Sequence, residues 1–253
     1  MLETYIQDRL RHRDILLMTH IVLGYPDMDQ SMILVEEMVN AGVDLMELQI
    51  PFSEPMADGP VILKANQRAL EKGVRVARCF DFAREAAARF QIPFLFMTYY
   101  NIVFKYGEGR FAADMATAGL RGAIVPDLPP EEGGGYQSVM DQNGVCPIYI
   151  FSPTTTDERM SFLASKARGF VYCVARKGVT GRETRFSEDV GAYLARCRKA
   201  TNLPLAVGFG VKDRGDVDYL RGKVDIAVVG SQTIRIVEEH GARAAGDFVR
   251  SLV

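Results

Sequence analysis

The sequence predicts an α/β protein: a (β/α)8 TIM barrel with an extra N-terminal helix, built as one domain over residues 1–253. Three observations predict it. Short apolar runs recur along the chain, each bounded by Gly, Pro or Asp and followed by a segment with helical spacing. The runs are nearly continuously apolar, not alternating, as in parallel strands covered by helices. The length of 253 residues is close to the roughly 250 typical of such a barrel. An open doubly wound sheet is the alternative architecture.

The N-terminal segment MLETYIQDRLRHRD is amphipathic and charged, and supplies the extra helix. The candidate strands follow in order: LLMTHIVLG from Leu16, DLMELQIP from Asp44, PFLFMTYY from Pro93, GAIVPD from Gly122, CPIYIF from Cys146, GFVYCVA from Gly169, LPLAVGFG from Leu203 and VDIAVVGS from Val224. Between them, SMILVEEMVNAG from Ser31 and FDFAREAAARF from Phe80 place apolar residues at three-and-four spacing. Asp157 is a candidate N-cap for DERMSFLASKA, and TIRIVEE after Ser231 reads as a further helix.

Composition limits what such a barrel does. Hydrophobic residues make up 48% of the chain and charged residues 25%, enough for a large core under a solvated surface. A net charge of −2 without a run of like charges argues against nucleic-acid or anionic-membrane partners and for a small molecule. Cys79, Cys146, Cys173 and Cys197 form no CxxC pair, and His12, His20 and His240 have no ligand spacing, so no metal site is expected. The thiols read as reduced. With no signal-peptide stretch or membrane-length apolar window, the expected compartment is the cytoplasm.

Two connections are longer than the rest, PFSEPMADGP after the second strand and RKGVTGRETRF after the sixth, and barrel enzymes build their sites from such loops. Glu47 interrupts the apolar second strand. A carboxylate there is costly unless it is paired or used, and it suits a residue that both donates and accepts a proton; a glutamate braced by a neighbouring strand is the alternative. Asp58, on the loop leaving that strand, can share the mouth with Glu47 and divide proton transfer from electrostatic orientation, although Asp-Gly-Pro is also a plain turn signal. The last two strands end in Gly208-Phe209-Gly210 and Gly230-Ser231, the second running straight into a helix. Glycines there let backbone N–H groups approach an anion, or they simply make tight turns. The sixth loop, with Gly181, can close over such an anion or remain a solvated loop. Tyr99, Asn101, Asp127, Thr154 and Tyr172 fall at strand ends, as mouth-lining residues or as braces; Asn101 and Asp127 read as braces.

In order along the chain, ELQIPFSEPMADGP, PFLFMTYYN, IVPDLPPEE, PTTTDER, VARKGVTG, VGFGV and VVGS resemble the successive signature segments of the tryptophan synthase alpha family over nearly the whole chain. The resemblance implies a lyase of L-tryptophan biosynthesis that splits indole-3-glycerol phosphate to indole and glyceraldehyde 3-phosphate by a retro-aldol reaction. It assigns Glu47 as the acid/base and Asp58 as the group that holds the indole nitrogen. It further implies substrate contacts from His20, Tyr99, Tyr172, Thr180, Gly181, Phe209, Gly210, Gly230 and Ser231, the phosphate being held by backbone at Gly181, Gly210, Gly230 and Ser231. Thr180 would link the closing loop to Asp58. It also implies a beta subunit, in an alpha2-beta2 heterotetramer, that carries pyridoxal phosphate and receives indole through a tunnel; this chain itself needs no cofactor. Pro51, Glu54, Asp127 and Pro129 fall on loops that would face that partner.

The sequence departs from the family pattern at Gln49, where Gly is usual, at Glu54, where Asp is usual, and at His20, where an aromatic residue is common. Ala175 and Lys177 are milder changes. Gln49 is expected to reshape the pocket or to hydrogen-bond the Glu47 carboxylate. Two other readings follow: a largely non-catalytic regulatory subunit that activates a beta partner, and another phosphosugar barrel such as an isomerase.

Overall fold

The computed structural model describes residues 1–174, 188–208 and 210–252, with the side chains of 188 and 189 excepted. Its strands are β1 (Leu16–Val22), β2 (Leu45–Gln49), β3 (Phe94–Met97), β4 (Gly122–Ile124), β5 (Cys146–Phe151), β6 (Val171–Cys173), β7 (Leu205–Val207) and β8 (Ile226–Val229). Each pairs in parallel with its sequence neighbours, and β1 closes on β8, so the sheet is a barrel in the order β1 to β8. All of the expected strands are present. The closed barrel, not the open sheet, is the outcome.

Helices run between the strands and cover the barrel: α1 (Leu2–Leu10), α2 (Met28–Asn40), α3 (Pro60–Glu71), α4 (Val76–Arg89), α5 (Tyr100–Tyr106), α6 (Glu108–Thr117), α7 (Gly134–Gln142), α8 (Asp157–Lys166), α9 (Glu188–Ala200), α10 (Arg214–Leu220), α11 (Ser231–His240) and α12 (Ala242–Ser251). One capping expectation is corrected. Thr156, not Asp157, caps α8: its backbone is extended and its side chain accepts from the Arg159 N–H at 3.2 Å. Asp157 already lies in the first turn, where its carboxylate favours the positive helix end and pairs with Arg196 at 2.8 Å.

Strand parity sorts the core into two layers. Leu17, Ile21, Met46, Leu48, Phe94 and Phe96 face outward and pack under the helices. Leu16, Met18, Leu45, Leu95, Ile226 and Val228 point inward, and Leu2 and Ile6 of α1 join them. The extra helix therefore plugs the N-terminal end of the barrel. Full burial of those two side chains stabilises the fold by about 1.5–3 kcal/mol each.

A polar clamp seats the plug. Asp44, fully buried just before β2, accepts from Arg9 at 2.6 and 3.0 Å, from Arg13 at 3.1 Å and from the Leu17 N–H at 3.0 Å. Tyr5 Oη donates to the Asp44 carbonyl. With the bottom filled, open space for chemistry is left at the C-terminal ends of the strands.

Candidate active site

Following the inward parity of each strand upward, the leucines and isoleucines give way to polar residues at one end. His20 continues the series Leu16, Met18 on β1, and Glu47 and Gln49 continue from Leu45 on β2. Tyr172 occupies the inward position of β6, and Gly208 and Gly230 follow β7 and β8. Barrel closure alone thus collects residues from distant parts of the chain into one layer.

Glu47 is 1% exposed, and His20 Nδ1 lies 2.9 Å from its Oε2. The two residues face each other directly in the parallel β1–β2 register. Burial by itself would lower the His20 pKa, but the Glu47 hydrogen bond and charge, with Asp58 behind them, raise it above the ordinary histidine value. Among the described residues, Glu47 Oε1, His20 Nε2 and Gln49 Oε1 are buried without a hydrogen-bond partner. Buried polar atoms in proteins are nearly always paired, so three such orphans in one layer mark the place where a ligand's polar atoms belong.

Asp58 is the second buried carboxylate of the mouth, 9% exposed at the end of the loop that β2 launches. Its Oδ2 accepts from Gln49 Nε2 at 2.7 Å and from Tyr99 Oη at 3.1 Å. Burial raises its pKa, and the His20 charge and these two donors pull it back only in part. Gln49 therefore bonds Asp58; the expectation that it would hydrogen-bond Glu47 is corrected, because Gln49 stands one inward step nearer the loop that carries Asp58. Tyr99 is fully buried, stacks on Phe52 with ring centroids 5.2 Å apart, and accepts from the Ala57 N–H at 3.1 Å. It ties both ends of the catalytic-loop segment to β3.

Tyr172 completes the layer. Burial, then the charges of Glu47 and Asp58, push its phenol well above the ordinary tyrosine pKa, so it remains neutral and able to donate. A side chain at Gly208 would run into that phenol, so glycine is required there by close approach. Gly210 has φ +69°, which L side chains rarely adopt. Gly230 packs against the His20 ring, and Ser231 opens α11, a ten-residue helix whose first N–H groups have no partner within the helix. These groups suit an anion.

Of the other sequence-derived candidates, Glu54, Asp127 and Pro129 are exposed and Pro51 is buried. Asp127 accepts from the Tyr100 N–H at 2.9 Å and so braces the start of α5, as its place at a strand end suggested. Asn101 and Thr154 are exposed. Thr180, Gly181, Phe209, Ala175 and Lys177 lie outside the described residues. What sequence reasoning did not assign was the pairing: His20 with Glu47 and Gln49 with Asp58. The available signal was three polar residues of one inward parity on adjacent strands.

Among the described residues no group of three or more His, Cys, Asp or Glu side chains could hold a metal ion. No helix is long and apolar enough to cross a membrane.

Comparison with known proteins agrees with this geometry. The family model for the tryptophan synthase alpha chain matches residues 7–252. The chain is 67% identical over 252 residues to the tryptophan synthase alpha chain of Desulforapulum autotrophicum and 62% identical to that of Syntrophotalea carbinolica, in each case covering 100% of both chains. Among solved structures, it superposes with a TM-score of 0.92 on Mycobacterium tuberculosis tryptophan synthase at 30% identity, covering 99% of this chain and 96% of that one. It superposes with a TM-score of 0.91 on tryptophan synthase subunit alpha of Legionella pneumophila at 31% identity, with the same coverage.

Proposed function

Because the chain belongs to the tryptophan synthase alpha chain family and performs that family's cleavage of indole-3-glycerol phosphate, we propose that Glu47 and Asp58 divide the reaction between them. Asp58 accepts the indole N–H and stabilises positive charge as it develops on the ring nitrogen. The Glu47 carboxyl group gives a proton to the ring carbon that bears the glycerol chain. The resulting carboxylate then takes the proton of the adjacent hydroxyl group. As that proton leaves, the carbon–carbon bond breaks and its electron pair returns to the ring, releasing indole and glyceraldehyde 3-phosphate. Glu47 ends with the proton it began with, so the cycle needs no other acid or base.

The observation that carries this division is the state of the two carboxylates. Each is buried and has one oxygen held by side-chain partners, and Glu47 Oε1 has no hydrogen-bond partner among the described residues. The raised Tyr172 phenol faces both charges as a donor. Phosphate is held by the backbone at Gly210, Gly230 and Ser231, where positive φ and a helix start present N–H groups.

The family works with a beta subunit. Our reading extends this to an alpha2-beta2 heterotetramer in the cytoplasm, with pyridoxal phosphate in the beta partner; every step above uses side chains of this chain alone. The exposed Glu54, Asp127 and Pro129 lie on loops at the same end as the active site, beside the exposed Met56. That placement suits a partner that receives indole from the barrel mouth.

The test is indole release from indole-3-glycerol phosphate by wild type, Glu47→Gln and Asp58→Asn, each with and without a beta subunit. Each variant is expected to lose at least about a hundredfold in kcat, the scale of a removed acid/base group. A wild type that is inert with its partner yet binds indole-propanol phosphate overturns the reading in favour of a regulatory subunit.

A further inference from the structure

The inner face of β1 carries an imidazole that the cleavage scheme above does not use. His20 is 4% exposed, faces Glu47 across the β1–β2 register, and bonds it at 2.9 Å through Nδ1. Its carbonyl accepts from Thr233 Oγ1 of α11 at 3.3 Å, and its ring rests on Gly230, so the strand and the ring are fixed from the β8 side as well. A neutral imidazole meets this contact by donating its own Nδ1–H, and the pair holds a further, transferable proton when the imidazole is charged or the carboxyl protonated, the state that the charges of Glu47 and Asp58 favour.

We propose that His20 is a positioning residue that shares a single transferable proton with Glu47, making the pair, and not the glutamate alone, the acid/base of the cleavage. The idea rests on the assignment of Glu47 given above. The pair starts with that transferable proton, gives it to the ring carbon, and regains it from the substrate hydroxyl, so the balance of the reaction is unchanged. His20 holds Oε2, and Oε1 is left as the oxygen that faces substrate.

The groups that face His20 are few. Among the described residues, Glu47 and Gln49 act on it from β2 and Asp58 from the loop, Tyr172 reaches the same carboxylates from β6, and β8 and α11 contribute Gly230 and Thr233. Both carboxylates favour the imidazolium, and burial opposes it. The His20 proton is therefore kept to a higher pH than an isolated imidazole would keep it, because removing it leaves buried anions with no cation beside them.

Two measurements on the full chain test this. The first is NMR titration of the histidine imidazoles, with the His20 signal assigned by its absence in His20→Asn. Its midpoint is expected above the ordinary histidine value of about 6.5, and in Glu47→Gln it is expected to fall below that of the wild type. A His20 midpoint that does not move in Glu47→Gln overturns the proposal, whatever the chain catalyses.

The second is the pH dependence of kcat for wild type, His20→Phe and His20→Asn, the fold of each checked by circular dichroism. Asparagine can still donate to Glu47 but cannot titrate. Both variants are expected to lose kcat as pH rises at a lower pH than wild type does, with kcat down at least about tenfold at pH 8 and KM changed little. His20→Asn is expected to recover part of the loss of His20→Phe at pH 6. Profiles that superimpose on wild type, or a loss confined to KM, overturn the proposal. If wild type shows no cleavage while the imidazole still responds to Glu47→Gln, the lyase assignment fails and the shared proton stands.

Discussion

Gln49 Nε2 donates to Asp58 Oδ2 at 2.7 Å, so the last inward residue of β2 holds the carboxylate of the loop that the same strand launches. The bond fixes which oxygen of Asp58 is left for substrate. It also favours the charged carboxylate in a place where burial opposes it. Gln49→Leu keeps the bulk and removes the donor. A lost hydrogen bond to a charged group is worth about 1.5–3 kcal/mol, so kcat/KM is expected to fall by about tenfold or more at neutral pH. The sign in pH follows: without its donor Asp58 holds its proton to higher pH, and activity is lost on acidification earlier than in wild type. A kcat/KM profile from pH 5 to 9 reads both effects, and an unchanged acid limb would show that Gln49 does not support the carboxylate.

Asp58 links function to stability. Its folded pKa is raised by burial, so the folded state binds the proton more tightly than the unfolded chain does. Stability from this group is present at acid pH and is lost as pH rises from the ordinary aspartate value through the folded one. Asp58→Asn still accepts from Gln49 and Tyr99 and carries no charge. It is expected to be more stable than wild type at pH 8, by about 1 kcal/mol, a common size for replacing a strained functional group. The gap should close as pH falls below about 4. Urea unfolding at several pH values checks this; a variant less stable than wild type at pH 8 contradicts it.

Asp44 is expected to matter for stability and not for chemistry. Its buried carboxylate accepts from two arginines and a backbone N–H. Asp44→Ala leaves those donors unpaired at the bottom of the barrel and is expected to cost about 3–5 kcal/mol. Arg9→Ala removes one partly exposed partner while Arg13 and Leu17 remain, and should cost only about 1 kcal/mol. Denaturant midpoints of the two variants measure the difference. Equal losses would mean that Arg9 alone seats the plug.

Gly208 faces the Tyr172 phenol so closely that a Cβ would overlap it. Gly208→Ala is therefore expected to displace the ring from the two carboxylates and lower kcat by about tenfold or more, the loss that follows when a positioned group moves by about 1 Å. In a Tyr172→Phe background the same substitution should cost less, since the oxygen that meets the new methyl is gone. A double-mutant cycle on kcat reads the coupling. Additive effects would mean that the contact does not position Tyr172.

The sequence by itself determined eight parallel strands under helices, while closure into a barrel, against an open doubly wound sheet, was decided by the tertiary structure. Eight short apolar runs, each followed by helical spacing, leave little besides parallel strands under helices, because those patterns depend only on local periodicity and burial. It also marked Glu47 as a carboxylate in an apolar strand, Asp58 on a long loop, and glycines at the last two strand ends. These are compositional anomalies, and an anomaly is visible without coordinates. The cap of α8 was misplaced by one residue, since Thr156 and Asp157 are both capping residue types and only backbone geometry selects between them.

Only the tertiary structure decided which partner each carboxylate has. His20 lies 27 residues before Glu47, and Tyr99 lies 41 residues after Asp58. Nothing in that spacing foretells a bond. Parallel pairing of β1 with β2 sets a register that opposes His20 to Glu47, and strand parity turns both inward. Gln49, two residues along β2 from Glu47, shares that parity but stands one step nearer the loop, and so reaches Asp58 instead. A shift of the β1–β2 register by one residue would turn every one of these side chains to the opposite face, which is why the site is a property of the closed sheet and not of any segment within it.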